Sequence, residues 1–223
     1  MKVRVRYSKQ GNVKFIGHLD IMRYFMKLNR RAGIDVAYSE GFSPHQIMSF
    51  AAPLSLGFTS NGEYFDMKLN STKSSKEMIE LMNKHSVDDI RVLSFKQLDD
   101  NAKNCMSILA AATYKIFIDD ISNDDIDKYM SQSSINAIKK TKKGEKEIDI
   151  KPLIYDIKSG DDYVYIKVSQ GSSNNLKPSL VTETLLKFLN RPMPDFVQYE
   201  RLDMFFEIDQ ELKSLEDAGY DIE

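Results

Sequence analysis

The sequence predicts an α+β fold in which two successive units share one order of strands and helices. Residues 3–8 alternate apolar and polar side chains, which is the period-2 pattern of a half-buried strand. Residues 19–32 change to helical spacing, and Gly33 follows as a C-terminal stop. Each half of the chain gives the order β-α-β-β-α-β, which is typical of an antiparallel sheet covered by two helices.

The first unit is predicted to span residues 1–100. Its helix at 19–32 has apolar positions at Leu19, Met22, Phe25, Met26 and Leu28. The predicted elements are, in order, a strand at 3–8, this helix, extended segments at 34–38 and 46–52, a strand at 63–69, a helix from Ser74 or Ser75, and a strand at 90–98. The order β-α-β-β-α-β is the ferredoxin-like arrangement, in which helices cover one face of the sheet. The other face is expected to be free for a partner or a ligand.

The second unit, predicted at residues 107–207, repeats this order. Its elements are a strand at 111–118, a helix at 124–130, a hairpin of strands at 148–158 and 163–169, a helix at 178–189 and a strand at 197–206. Residues 207–223 are predicted to form an acidic helix or a frayed end, so that 208–223 is an acidic tail. The sequence thus predicts two tandem ferredoxin-like units.

Composition excludes several classes of protein. The chain has 223 residues, 42% of them hydrophobic, which argues against intrinsic disorder. No apolar run is long enough to span a membrane, and the basic first residues precede no apolar stretch, so neither a membrane partner nor a signal peptide is expected. Cys105 is the single cysteine, which excludes internal disulfides, thiolate-only zinc sites and a self-contained iron–sulfur cluster. A cytoplasmic protein without a cofactor or metal is expected.

The net charge of −2 conceals an asymmetry. Residues 1–31 contain nine Lys or Arg and one acid, a net charge of +8, so the other 192 residues carry −10. A basic segment in a nearly neutral protein favours a polyanion partner or a docking surface, although an ordinary solvated strand and helix is an open alternative. The candidate phosphate contacts are Arg4, Arg6, Lys9, Arg23, Lys27 and Arg30.

Residues 38–45, Tyr-Ser-Glu-Gly-Phe-Ser-Pro-His, form the densest group of unusual residues, which we call the aromatic loop. Gly41 permits a positive φ, and Pro44 restricts its own φ and that of the residue before it. A rigid loop that carries Tyr38, Phe42 and His45 suits stacking on a base or holding a phosphate. The alternative is that Phe42 fills the core and His45 caps a strand.

His18 precedes the basic helix, where it suits either general acid–base catalysis or a hydrogen bond at the helix start. With His45 it defines a second hypothesis, a metal-independent ribonuclease. This hypothesis requires both imidazoles in one cleft.

Two further segments are candidates for anion contact. Residues 139–146 are rich in lysine around Gly144, which suits phosphate contact at a hairpin tip or an ordinary solvated loop. Residues 171–178 are polar and lead into a helix, but they lack the spacing of a P-loop.

Several of these motifs resemble one known family. The first half carries them in residues 4–9, 15–20, 31–33, 38–45, 49–57 and 62–66, and the second half in residues 143–152, 175–178 and 200–202. Together they resemble the radical-SAM-linked protein family, a bacterial domain of unknown function. Where that family often has a second proline after the loop histidine, this chain has Gln46, so a looser turn is expected there.

The resemblance implies an association and no established activity, because such domains are encoded beside, or fused to, a radical-SAM protein. The chain lacks a Cys-x-x-x-Cys-x-x-Cys motif, which agrees with a cluster held by the partner. The leading expectation is therefore a non-catalytic module that binds structured RNA, or docks to the radical-SAM partner, through the basic segment and the aromatic loop. The ribonuclease and a scaffold that binds only protein are the alternatives.

Overall fold

The computed structural model of the protein describes residues 1–141, 144–171 and 174–223. It shows a mixed α+β fold with mostly antiparallel sheet. The described residues form, in chain order, β1, Lys2–Lys9; α1, His18–Arg31; β2, Met48–Phe50; β3, Thr59–Lys68; α2, Ser75–Lys84; β4, Ile90–Leu98; α3, Cys105–Ile108; β5, Leu109–Phe117; α4, Asn123–Ser131; β6, Asn136–Thr141; β7, Gly144–Asp149; β8, Ile154–Ser159; β9, Val164–Ser169; α5, Pro178–Phe188; β10, Gln198–Ile208; and β11, Glu211–Ser214. None of the helices in these ranges combines the length and the apolar character that crossing a membrane requires.

The chain divides into two compact units. The first contains residues 1–110 together with 203–223, and the second contains residues 111–202. The expected acidic tail at 208–223 is therefore wrong, because β11 pairs with the end of β10 and Leu215 is fully buried.

In the first unit, β1 lies between β3 and β4, and β2 pairs with β3. All these pairs are antiparallel, and Val5 faces Phe65 on one side and Phe95 on the other. Helix α1 covers this core with Ile21, Phe25 and Leu28, spaced as one helical stripe. The predicted helix is confirmed, whereas its predicted core position at Leu19 is wrong, because that side chain is 63% exposed.

The predicted half-buried strand at residues 3–8 is buried on both faces. Arg4 and Ser8 are buried, as are Val3 and Val5 on the opposite face. The reason is that Arg4 has a fixed partner, Asp66, and that the carbonyl of Leu215 accepts a further hydrogen bond from it. Buried polar groups that have partners give a strand the same alternating sequence pattern as polar groups that face water. The sequence alone therefore does not distinguish the two cases.

The extended segment predicted at 34–38 makes only isolated bridges, Val36 with Leu69 and Tyr38 with Gln46. The second of these bridges closes the base of the aromatic loop. Helix α2 begins, as predicted, at a capping box in which the Ser74 hydroxyl and the Glu77 carboxylate exchange hydrogen bonds with each other's backbone N–H.

In the second unit, β9 lies between β5 and β8, and all its pairs are antiparallel. The hairpin of β8 and β9 is confirmed, but the single strand predicted at 148–158 is wrong. Lys151–Leu153 forms a short 3-10 helix that contains Pro152, which cannot donate to a strand ladder. The chain before it, β7, pairs with β6 as a separate two-stranded hairpin.

Candidate functional site

Three of the six basic candidates share the exposed face of α1. At 3.6 residues per turn, the side chains of Arg23, Lys27 and Arg30 lie within about 80° of one another around the helix axis, on the side that also carries Leu19. The buried stripe is on the opposite side of the helix. We call Arg23, Lys27 and Arg30 the basic stripe. Because they follow at intervals of four and three residues, the stripe extends about 10 Å along the helix axis. It is a continuous row of cations open to solvent.

One acid lies beside this row. The Asp20 carboxylate contacts the Arg23 guanidinium at 3.2 Å, and both side chains are more than half exposed. An exposed i,i+3 ion pair contributes between about 0 and 1 kcal/mol. A phosphate can therefore compete with Asp20 for this guanidinium at little cost.

The aromatic loop is a small, hydrogen-bonded hairpin. The Ser39 N–H donates to the His45 carbonyl at 2.8 Å, and the His45 N–H donates to the Ser39 hydroxyl at 3.1 Å. The His45 ring Nδ1 lies 2.8 Å from the same hydroxyl. Gly41 has φ +106°, a value that L side chains rarely adopt. Phe42 is fully exposed at the tip, with a relative accessibility of 110%, so the alternative in which it fills the core is wrong.

Gln46 anchors the loop to α1. Its side chain is 3% exposed, accepts from the Asn29 amide at 3.0 Å and donates to the Met26 carbonyl at 3.1 Å. The looser turn expected from glutamine in place of proline is therefore wrong, because buried hydrogen bonds replace the rigidity of the proline ring.

Tyr38 joins the loop to the basic stripe. Its hydroxyl accepts a hydrogen bond from the Gln46 amide at 3.5 Å, and this bond first, together with the neighbouring Arg30 guanidinium, lowers the pKa of Tyr38. The structure thus brings Arg30, Tyr38 and the anchored loop together at one place, next to Lys27 and Arg23.

The three basic residues of β1 do not belong to this surface. Arg4 is 1% exposed and forms a two-pronged ion pair with Asp66 at 2.8 and 3.1 Å. Lys9 is also buried and donates to the Ile16 carbonyl at 2.9 Å. Arg6 is partly exposed, but its guanidinium contacts the Glu216 carboxylate at 2.7 Å. As phosphate contacts, Arg4 and Lys9 are therefore wrong, because their charges are satisfied inside the protein.

His18 lies at the first turn of α1, edge-on to the ring of Phe50 with 5.6 Å between centroids. Burial, with a contribution from the Lys9 ammonium, lowers the pKa of His18 and keeps the imidazole neutral. The aromatic loop contacts α1 at Met26 and Asn29, about 12–16 Å further along the axis from His18. His18 and His45 thus belong to opposite ends of the helix, which is unsuited to one acid–base pair.

The two candidate segments of the second unit are described in part. Lys142 and Lys143 of the first, and Ser172 and Ser173 of the second, lie outside the described residues. In the described part, the Lys139 ammonium donates to the Asn175 carbonyl at 3.2 Å, and both residues line a cleft of about 340 Å³ at the start of α5.

Other features of the first unit had no clear sequence signal. Tyr64 is buried, and its hydroxyl donates to the Asp203 carboxylate at 2.5 Å across 139 residues of sequence. Burial first, and the Asp203 charge second, raise the pKa of Tyr64, which keeps the phenol protonated.

A cleft of about 520 Å³ is lined in part by Ile47 and Met48. Across the described residues, no group of three or more His, Cys, Asp or Glu side chains is placed to hold a metal ion.

A family model described as "Uncharacterized protein conserved in bacteria (DUF2344)" matches residues 2–178 of the chain. The chain belongs to this family. The match covers α1, the aromatic loop and Gln46, and so includes every residue that joins the basic stripe to the loop. No curated protein matches the chain.

Proposed function

We propose that this DUF2344 chain is a non-catalytic, cytoplasmic module that binds RNA, or docks to a partner on RNA, and acts with a radical-SAM enzyme in RNA modification or processing. The observation that carries the proposal is the attachment of the aromatic loop to α1, in which the Gln46 amide donates to the Met26 carbonyl of the helix and to the Tyr38 hydroxyl of the loop. This attachment joins the basic stripe to the aromatic loop, so that cations and exposed aromatic rings form one surface.

The chemistry of that surface fits a polyanion that also has flat bases. Arginine and lysine side chains contact backbone phosphates, and this binding weakens as salt rises because counterions are released. Aromatic rings contact bases without sequence preference. The stripe is cationic although the protein as a whole has a net charge of −2, so the attraction is local to this face.

The ribonuclease alternative has no observation in its favour, since His18 and His45 belong to opposite ends of α1. A protein-only scaffold does not account for a row of three exposed cations next to exposed aromatic rings. We therefore propose that this chain acts by binding, and that any chemical reaction is carried out by the partner.

The radical-SAM partner is proposed from the resemblance of the loop and strand motifs. With one cysteine in the chain, a cluster ligated by several thiolates must belong to another protein or domain. The ferredoxin-like form of each unit is part of the same proposal. It is supported by the β-α-β-β-α-β order of the first six principal elements, and by the position of β1 between β3 and β4.

RNA binding is tested by fluorescence anisotropy with a labelled stem–loop RNA over a salt series. The wild-type chain is compared with the triple variant Arg23→Gln/Lys27→Gln/Arg30→Gln. We expect the triple variant to bind more weakly and to lower the magnitude of the log–log salt slope by roughly 2, since each lost phosphate contact removes about 0.7 for single-stranded RNA.

The matched control removes three positive charges elsewhere. Lys76, Lys103 and Lys187 are exposed and belong to other parts of the chain, and their change to glutamine should leave the slope nearly unaltered. If the wild-type chain shows no salt-dependent binding, or if both triple variants lose the same affinity, the proposed RNA surface is wrong.

Partnership is tested by a pull-down of the purified radical-SAM protein with the chain, with and without nuclease treatment. Capture that is lost after nuclease indicates that RNA bridges the two proteins. Capture that resists nuclease and is lost in the Arg23/Lys27/Arg30 variant indicates direct docking on the same surface. Absence of capture under both conditions contradicts the partnership.

A further inference from the structure

We propose that Phe42 stacks on an unpaired base, so that the surface binds single-stranded or looped RNA more tightly than continuous duplex. This inference rests on the proposed RNA function and specifies the substrate class. It is carried by the combination of full exposure at Phe42 and a loop whose base is fixed to α1.

The exposure of Phe42 is the first part of the argument. A phenyl ring left fully in water forgoes about 1.5–3 kcal/mol that its burial would contribute. The ring nevertheless lies at the tip of a loop whose base is closed by the Ser39–His45 hydrogen bonds and the Tyr38–Gln46 bridge. The support is therefore ordered before a ligand arrives, and stacking requires little further loss of loop entropy.

The neighbours of Phe42 favour a base over an apolar protein pocket. Glu40, Gly41, Ser43 and Pro44 are all exposed, so the tip presents one aromatic ring among mainly polar or small residues. The centre of a protein–protein interface usually contains several large side chains that lose their contact with water together on binding. A base needs one flat ring, together with cations that contact the adjoining phosphates.

Those cations are at the base of the loop. Three residues separate Tyr38 from Phe42, so the Cα atoms of the two aromatic residues are at most about 13 Å apart. An RNA strand that lies along the basic stripe can therefore continue to the loop tip. Glu40 is the one acid in the loop, and its charge opposes phosphate contact at the tip itself. This arrangement assigns phosphates to α1 and a base to Phe42.

The requirement for an unpaired base follows from RNA geometry. In an A-form helix each base face is covered by its neighbours, and the major groove is too deep and narrow for side chains to read. A single phenyl ring on a protruding loop reaches a base face only where the strand is unstacked. The basic stripe alone would attract duplex and single strand alike, whereas Phe42 adds affinity only for the single strand.

The test compares three RNAs of equal length: an unstructured single strand, a stem–loop and a perfect duplex. Each is titrated with the wild-type chain and with Phe42→Ala, Phe42→Leu and Phe42→Trp. Loss of one base–aromatic stack is worth about 1–3 kcal/mol, so Phe42→Ala should bind the single strand about 5- to 150-fold more weakly. Its salt slope should stay unchanged, because the phosphate contacts remain.

The other two variants separate stacking from general apolar contact. Phe42→Trp should retain or improve binding to the single strand, whereas Phe42→Leu should lose nearly as much as Phe42→Ala. A 2-aminopurine in the single strand should change its fluorescence on binding to the wild-type chain, and less on binding to Phe42→Leu. Because the side chain is fully exposed, all three variants should keep the wild-type circular dichroism spectrum.

The outcomes distinguish the stacking inference from the proposed RNA function on which it rests. If no RNA binds, the RNA function itself is wrong, and stacking fails with it. If the basic-stripe variant loses affinity while Phe42→Ala binds all three RNAs like the wild type, RNA binding stands and stacking is wrong. Equal affinity of the wild-type chain for duplex and single strand, or full retention by Phe42→Leu, also overturns the inference. Retention of RNA binding with loss of the radical-SAM partner in Phe42→Ala would assign the ring to protein docking instead.

Discussion

The Asn29 side-chain amide donates to Gln46 Oε1 at 3.0 Å, and this buried hydrogen bond ties the last turn of α1 to the base of the aromatic loop. Asn29 is wholly buried, and its own Oδ1 has no hydrogen-bond partner among the described residues. The Asn29 amide therefore lowers the free energy of unfolding in part, because a buried unsatisfied oxygen disfavours folding. Asn29 and Gln46 act as one unit that fixes the loop.

The first prediction concerns this pair. Gln46→Leu leaves the Asn29 amide with only the weak sulfur acceptors of Met48 and Met67, and we expect the free energy of unfolding to fall by about 1–3 kcal/mol, measured by urea denaturation. In the double variant Asn29→Leu/Gln46→Leu both amides are replaced by side chains of similar shape, so much of that loss should return. A double variant less stable than Gln46→Leu alone would contradict the coupling.

The second prediction concerns the buried ion pair of β1. Asp66→Asn removes the charge that compensates Arg4, and breaking such a pair costs about 3–5 kcal/mol of unfolding free energy. The exposed pair of Asp88 and Arg91 offers a matched control, because Asp88→Asn should cost at most about 1 kcal/mol. Similar urea midpoints for the two variants would show that Arg4 finds another partner.

The third prediction concerns the acid beside the basic stripe. Asp20→Asn releases Arg23 from its exposed ion pair and removes a negative charge from this face. An exposed pair is worth up to about 1 kcal/mol, so affinity for a stem–loop RNA should rise about two- to fivefold at low salt. Asp124→Asn, which removes the exposed partner of Lys128, provides the same change of charge on α4 and should have no such effect. Equal gains in the two variants would point to net charge alone.

The fourth prediction concerns pH. The pKa of His18 is lowered in the folded state, by burial and then by Lys9, while the unfolded value is about 6.5. The unfolded state therefore binds the proton more readily, so stability is complete above about pH 6.5 and is lost as pH falls through the folded pKa. His18→Gln should flatten the dependence of the urea midpoint on pH between about pH 5 and 8, whereas His85→Gln should preserve it. A profile unchanged by His18→Gln would refute this account.

Local patterns predicted much of the fold. Helix α1 and its end at Gly33, the start of α2 at Ser75 and the hairpin of β8 and β9 depend on neighbours close in sequence, and all agree with the structure. The burial of Arg4 and Lys9 was not predicted from such patterns. Arg4 pairs with Asp66, 62 residues away, and Lys9 donates to a carbonyl in the turn that follows β1. Leu19 was misassigned because periodicity alone did not distinguish it from Ile21, which takes the buried position.

The candidate site divides in the same way. Tyr38, Gly41 and Phe42 were found from the sequence because turn formers beside an aromatic are a local signal. The role of Gln46 was missed, since it depends on the approach of α1, which only the folded chain defines. The separation of His18 from His45 likewise follows from the length of one helix between them.

The division of the first unit along the chain has a consequence for protein synthesis. Its residues 1–110 are completed by 203–223, which supply the Leu215 carbonyl to Arg4 and the Asp203 carboxylate to Tyr64. The 92 residues between them must be translated first, which at about 5–20 residues per second takes roughly 5–20 s. During that interval the nascent chain holds an arginine and a tyrosine whose final partners have not yet left the ribosome. The second unit, continuous in sequence, can therefore fold before the first is closed.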